Sequence, residues 1–140
     1  MKILRILSLI TLGFLGVTSI SGSIPMILDP SGSMLHMPLS LLEHSPFHSY
    51  LMPGIILLVT NGLVAIVVFL AAMRRVESYG NLIATQGVVI AGWITVQVFF
   101  LRTVVWPHYV YLGVGLVLIV SGLALRRDRR AVEVPVLVMR

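Results

Sequence analysis

Residues 51–73 read LMPGIILLVTNGLVAIVVFLAAM, and Arg74-Arg75 follow at once. The stretch carries no formal charge, and as a helix rising 1.5 Å per residue it would cover about 34 Å. The hydrocarbon core of a bilayer is about 30 Å thick. A soluble helix of this length needs a polar face, and Thr60 and Asn61 alone cannot supply one. The stretch therefore reads as a transmembrane helix, stopped by two arginines that stay at the headgroups.

The same pattern recurs on both sides. Upstream, an apolar run from about residue 3 to 22 follows Lys2 and Arg5. Downstream, residues 82–101 form a third run closed by Arg102, and residues 107–125 a fourth, closed by arginines 126, 127, 129 and 130. Pro107 suits the first turn of that last helix, where its missing N–H would be unpaired anyway. Composition agrees: of 140 residues, 58% are hydrophobic and 11% charged, and the mean hydropathy is +1.04. Soluble domains are about 25% charged. The expected fold is all-α, an up-down four-helix transmembrane bundle within residues 1–130, followed by a tail, 131–140, that lies along the membrane surface or pairs as an edge strand. Lipid offers the backbone no hydrogen bonds, so each span has to be a helix that satisfies itself. The first run also has the layout of a secretory signal peptide, with a basic start, an apolar middle and small residues at 19–23. Its apolar character continues through Leu28, which favours a retained helix.

Orientation follows from the basic residues. With the amino terminus inside, Lys2, Arg5, Arg74, Arg75 and the arginines 126, 127, 129 and 130 all fall inside, and Arg102 alone closes a span on the outside. That asymmetry is the positive-inside pattern, and it places both termini in the cytoplasm. Phe47, Tyr50, Phe99, Phe100, Trp106, Tyr109 and Tyr111 then gather at the outer ends, the level that amphipathic rings prefer. The formal charge of +5 is explained by topology. No basic face exists to bind nucleic acid, and without cysteine there is no disulfide or thiolate metal site.

Residues 29–50 form the long outer loop, which begins with the turn signal Asp29-Pro30-Ser31-Gly32. Its Met34, Leu35, Met37, Leu39, Leu41, Leu42 and Phe47 are too apolar for water, so a partly helical cap over the bundle is expected, with short helices opening at Pro38 and at Ser45-Pro46. His36, His44, His48 and His108 all fall on the outer side and are the candidate metal ligands, because imidazole and carboxylate are what a first-row metal takes. The plainer alternative is that they bind water or headgroups, and no cofactor is required. Arg102 is expected to pair with Glu43, or less favourably with Asp29, whose carboxylate has its own turn to cap.

No Asp, Glu, Lys or His lies deep within a span, which argues against a proton-coupled pump. Asn61, Trp93 and Gln97 are the candidate residues for a ligand cavity below the cap; interhelical hydrogen bonding is the plainer role for the two amides. Gly54, Asn61, Ala65 and Ala72 share a face of the second span, and Gly87 with Ala91 forms a small-residue pair on the third, so these faces are packing seams. Catalytic motifs are absent, which weighs against an enzyme without deciding the matter.

The motifs Asp29-Pro30-Ser31-Gly32, Ser45-Pro46-Phe47, Tyr50-Leu51-Met52-Pro53-Gly54, Asn61-Gly62, Trp93-Ile94-Thr95-Val96-Gln97 and Tyr111-Leu112-Gly113 resemble a group of uncharacterised small bacterial four-span membrane proteins. A similarity to DoxX-like proteins extends to topology only. The resemblance implies a bacterial inner-membrane protein and brings no activity with it. Two functions are consistent with the sequence. One is a scaffold or accessory subunit that packs against a membrane-protein partner or a second copy through small-residue faces. The other is a small-ligand binding or transport module with a cavity under the cap. A metal-dependent enzyme built on the histidines stands third.

Overall fold

The computed structural model describes residues 1–138, with the side chains of 129–137 left aside. The protein is all-α. Its four long helices are α1 (Lys2–Leu28), α2 (Leu51–Met73), α3 (Tyr79–Leu101) and α4 (Trp106–Val138), and each contains a stretch long and apolar enough to cross a membrane. They run up and down, so Arg5, Arg74, Arg75 and Arg126 come together at one end, here the basic end. The loop 29–50 and the turn 102–105 form the other, the cap end.

Side chains that would bury nothing as single helices find one another here. Leu12 and Leu15 of α1, Ala65, Val68 and Ala72 of α2, Ile83 and Ile90 of α3, and Leu118 and Leu125 of α4 make the core. The perimeter stays apolar, with Ile10 66%, Val67 63% and Val120 66% exposed. A water-soluble protein does not show so wide an apolar surface, whereas a bilayer would cover it.

Small residues set how closely the helices approach. A Cβ on Gly87 would sit 2.6 Å from the Gly115 carbonyl and 2.7 Å from the Ile119 nitrogen, so α3 and α4 meet backbone to backbone. Gly80 and Gly122 repeat this contact toward the basic end. Of the α2 face anticipated as a seam, Gly54 packs on α1 against Met26 and the Ser23 carbonyl while Asn61 meets Gln86 of α3, and the neighbouring Gly62 packs on Ile20 of α1. At the basic end, Arg5 donates through Nε to the Ala72 carbonyl at 3.0 Å and through Nη2 to that of Met73 at 3.1 Å. One guanidinium thereby binds two carbonyls at the end of α2, of which that of Ala72 also accepts the Arg75 N–H at 3.3 Å. Deeper in, the Ser8 and Ser121 hydroxyl oxygens lie 2.9 Å apart and join α1 to α4.

Three expectations need correction. The tail is not a strand: its backbone continues α4 through Val138, while residues 139 and 140 lie outside the described ones. At 33 residues this helix is about 50 Å long and overruns a bilayer core by several turns. No helix opens at Ser45-Pro46 either. The Ser45 hydroxyl donates to the Leu42 carbonyl at 2.8 Å and accepts the Phe47 N–H at 3.2 Å, a local turn that competes with helix entry. Pro38 does start a helical turn, but a four-residue 3-10 one, Leu39–Leu42. The third correction concerns Arg102: among the described residues it forms no ion pair with Glu43 or Asp29. Asp29 is occupied by its own turn, accepting from the Ser31 hydroxyl and from the Met34 N–H at 2.8 Å, and Glu43 lies exposed at the end of the 3-10 turn. Arg102 is exposed too and takes a left-handed conformation (φ 52°) to end α3.

Apolar packing holds the cap instead. Tyr50, 2% exposed, donates its hydroxyl to the Pro38 carbonyl at 2.8 Å and its N–H to that of Pro30 at 2.9 Å. Burial pushes its phenol pKa upward, so the hydroxyl remains a donor. Around it, Met26, Leu42, Leu35, Met37, Phe47 and Leu57 form a second apolar cluster separate from the main core.

Candidate functional site: a cavity beneath the cap

Two packing seams leave a space where they diverge. At the cap end α2 packs on α1 and α3 packs on α4, while α3 meets α2 nearer the basic end. Between the two pairs lies a cavity of about 520 Å³, roofed by Leu35, Met37 and Leu41 of the cap. Small-molecule sites span about 300–1,000 Å³ and are mostly apolar, with a few placed polar groups. Met26, Leu57, Ile90 and Ile94 supply apolar wall here, and Thr18, Ser19, Gln97, Thr103 and His108 the polar positions.

Each polar group has a structural origin. Ser19 is on the buried face of α1 with Leu12, Leu15 and Ser23, and its hydroxyl oxygen is buried without a hydrogen-bond partner. Thr18 is already committed, donating to the Phe14 carbonyl at 2.7 Å. His108 is only 6% exposed because the start of α4 turns it inward. Its Nδ1 accepts the Val105 N–H at 3.1 Å, a reciprocal cap in which the third helical residue reaches back to the residue before the helix. A ring nitrogen that accepts a backbone N–H carries no proton of its own. The His108 imidazole is therefore neutral, with its proton on Nε2. Trp93 and Gln97, one helical turn apart on α3, line this cavity and also a second of about 60 Å³ under Tyr50 and Phe47. On the side between α1 and α4, the Tyr111 ring closes the wall by stacking on Phe14 at 6.1 Å between centroids.

Of the three residues expected at a cavity, Trp93 and Gln97 line it and Asn61 does not. Asn61 is fully buried in a π-helical turn of α2, Leu58–Leu63. There Gln86 of α3 donates through Nε2 to the Asn61 side-chain oxygen at 3.3 Å and to the Thr60 carbonyl at 3.1 Å, and Asn61 donates to the Thr60 hydroxyl at 3.0 Å. A π turn leaves a carbonyl out of helical register, and Gln86 occupies it. This is the interhelical hydrogen bonding set out above as the plainer role.

The histidines divide. His36, His44 and His48 are exposed on the cap, and His108 is buried with one nitrogen committed. Among the described residues no group of three or more His, Cys, Asp or Glu side chains is arranged to hold a metal ion. Sequence reasoning missed Ser19 and the capping role of His108. The signal for the first was the spacing of Ser8, Ser19 and Ser23 along one helical face. For the second it was the position of His108 just inside a helix start, where a side chain can reach back to cap. No family model, curated protein or solved structure matches the chain.

Proposed function

We propose that the protein is a membrane-embedded binding module that holds a small, mainly apolar molecule in the cavity beneath its cap. It would sit in a bacterial cytoplasmic membrane with both termini inside. The observation that carries this reading is the cavity itself: about 520 Å³ at the level where Trp93 and Gln97 were expected to line one. The scaffold reading has less support, because small residues that motivated it are spent inside the bundle: Gly54 packs on α1, Ala65 and Ala72 are fully buried, and Gly87 and Ala91 pack on Gly115 of α4. The basic end supports the orientation, and the exposed Trp106 and Tyr109 rings suit the cap end to a membrane interface. The packing of Leu12, Leu15 and Ser19 into the bundle supports α1 as a retained helix.

The test uses Trp93 as reporter, with Trp106→Phe leaving it the sole tryptophan. In lipid nanodiscs, bromodecane should quench Trp93 saturably. Gly22→Phe should abolish saturation, since Gly22 lines the cavity and the nearest atom to a Cβ there is Leu57 Cδ2 at 3.9 Å, leaving room for a ring to grow into the space. Quenching that rises linearly and identically in both proteins would defeat the reading.

A further inference from the structure

The cavity wall restricts what can occupy it, and the restriction is chemical as well as spatial. None of the lining residues is Asp, Glu, Lys or Arg. An ionic ligand would therefore leave water and meet no countercharge, which proteins tolerate only with pairing. His108 could in principle supply a positive charge by taking a second proton. To do so Nδ1 would have to become a donor, facing the Val105 N–H that it now accepts at 3.1 Å. Two donors would then point at each other across the start of α4, so the helix cap itself opposes ionisation.

What remains of the imidazole is one fixed donor, Nε2–H, in a wall where His108 is more than nine-tenths buried. Gln97, half-buried on α3, adds an amide that can turn to donate or accept. Ser19 adds a hydroxyl buried without a partner. A wall of this kind is complemented by an oxygen acceptor on an otherwise apolar body. About 520 Å³ holds a single compact molecule, whereas a lipid with two acyl chains would have to leave most of its length outside.

We infer that the cavity selects an uncharged, compact, apolar molecule bearing a carbonyl-type oxygen, with the Nε2–H of His108 as the donor that recognises that oxygen. The inference rests on the binding reading above and names the ligand class for the same site. It requires no proton transfer and no covalent step.

The experiment uses three probes on the Trp106→Phe protein in nanodiscs: an ω-brominated medium-chain methyl ketone, bromodecane and bromodecanoate. The ketone should saturate Trp93 quenching at a concentration about tenfold below that of bromodecane, the worth of one buried hydrogen bond to a neutral acceptor. Bromodecanoate at neutral pH should be weaker than both. His108→Asn supplies the discriminating variant, because the Asn side-chain oxygen can still accept the Val105 N–H while its amide nitrogen takes the place of a ring carbon and stops short of the Nε2 donor. In it the ketone should fall to the level of bromodecane, with bromodecane unchanged and the melting temperature close to that of the parent. His108→Leu, which removes donor and cap together, should lower the melting temperature as well. Equal half-saturation by ketone and bromodecane in the parent would overturn the recognition of oxygen while leaving the cavity reading intact. Tightest binding by bromodecanoate would overturn the claim of neutrality. Retention of the ketone preference in His108→Asn would remove His108 from the role. Competition by a phosphatidylcholine with two long chains at the same concentration as the ketone would overturn the compact-molecule limit. If no probe saturates, the binding reading fails first and this inference with it.

Discussion

Asp29 shows how one side chain can organise a whole loop. Its carboxylate accepts from the Ser31 hydroxyl, from the Ser31 N–H at 3.3 Å and from the Met34 N–H at 2.8 Å, while its carbonyl accepts the Gly32 N–H at 3.1 Å. Those hydrogen bonds, led by that of the Ser31 hydroxyl, hold its pKa below the ordinary 3.8. The sign follows from the depressed value. The carboxylate's contribution to the turn is fully present above 3.8 and is lost as pH falls through the lowered pKa of the folded protein. The Met34 amide resonance should therefore hold its position from neutral pH down to about 3.8 and shift only below it, and in Asp29→Asn that shift should vanish. A midpoint at or above 3.8 would contradict the assignment. Gly32 completes the turn at φ 80°, where a Cβ would run into the Met37 carbonyl and the Tyr50 ring. The same local economy explains the missing ion pair: an oxygen satisfied by its own turn has little to gain from a mobile guanidinium. The Asp-Pro-Ser-Gly turn was legible from residue identities because every partner of Asp29 lies within five residues of it. The inward turn of His108 was not, because burial depends on what packs against the helix start.

Among the helices, the α3–α4 pair is the most closely joined, and glycine spacing explains it. Gly80 and Gly87 on one helix face Gly122 and Gly115 on the other, so the backbones touch where side chains would hold them apart. Dispersion and close packing are what association in lipid has available, since lipid tails are as apolar as leucine. A Cβ at Gly122 would fall on the Ala84 backbone nitrogen, and at Gly87 on that of Ile119 at 2.7 Å. Backbone atoms cannot rotate away, so Gly122→Val or Gly87→Val should force the helices apart and cost about 1–3 kcal/mol in mixed-micelle unfolding. Gly92 has nothing within 4 Å of the same position. Gly92→Ala should be neutral or gain up to about 1 kcal/mol from helix propensity alone. If both classes destabilise equally, the seam is not what holds the pair. The small-residue pattern of Gly87 and Ala91 was readable as a seam, but which helix it would meet was not, since lipid-facing and helix-facing small residues look alike in one dimension.

At the scale of the whole molecule, four helices, with the start of α1 and the arginines of α4 at the basic end, form a bundle whose perimeter is apolar and whose cap is closed by its own side chains. The chain has no cysteine, so single-cysteine variants give clean accessibility data. Ser33→Cys in the cap and Ser78→Cys before α3, both at exposed positions, should label from opposite sides of the membrane. Ser33 should label from the outside and Ser78 from the cytoplasm; the reverse pattern would refute the orientation drawn from the basic residues. Spans, turn and basic asymmetry were determined by the sequence alone, because each depends on the composition of a contiguous stretch meeting lipid or water. The cavity, the Asn61–Gln86 bond and the burial of His108 were decided only by tertiary structure. Each of these depends on which residues from separate helices face one another, and helix rotation and splay are set by the fit of small against large side chains summed over the whole bundle, a quantity no local window contains.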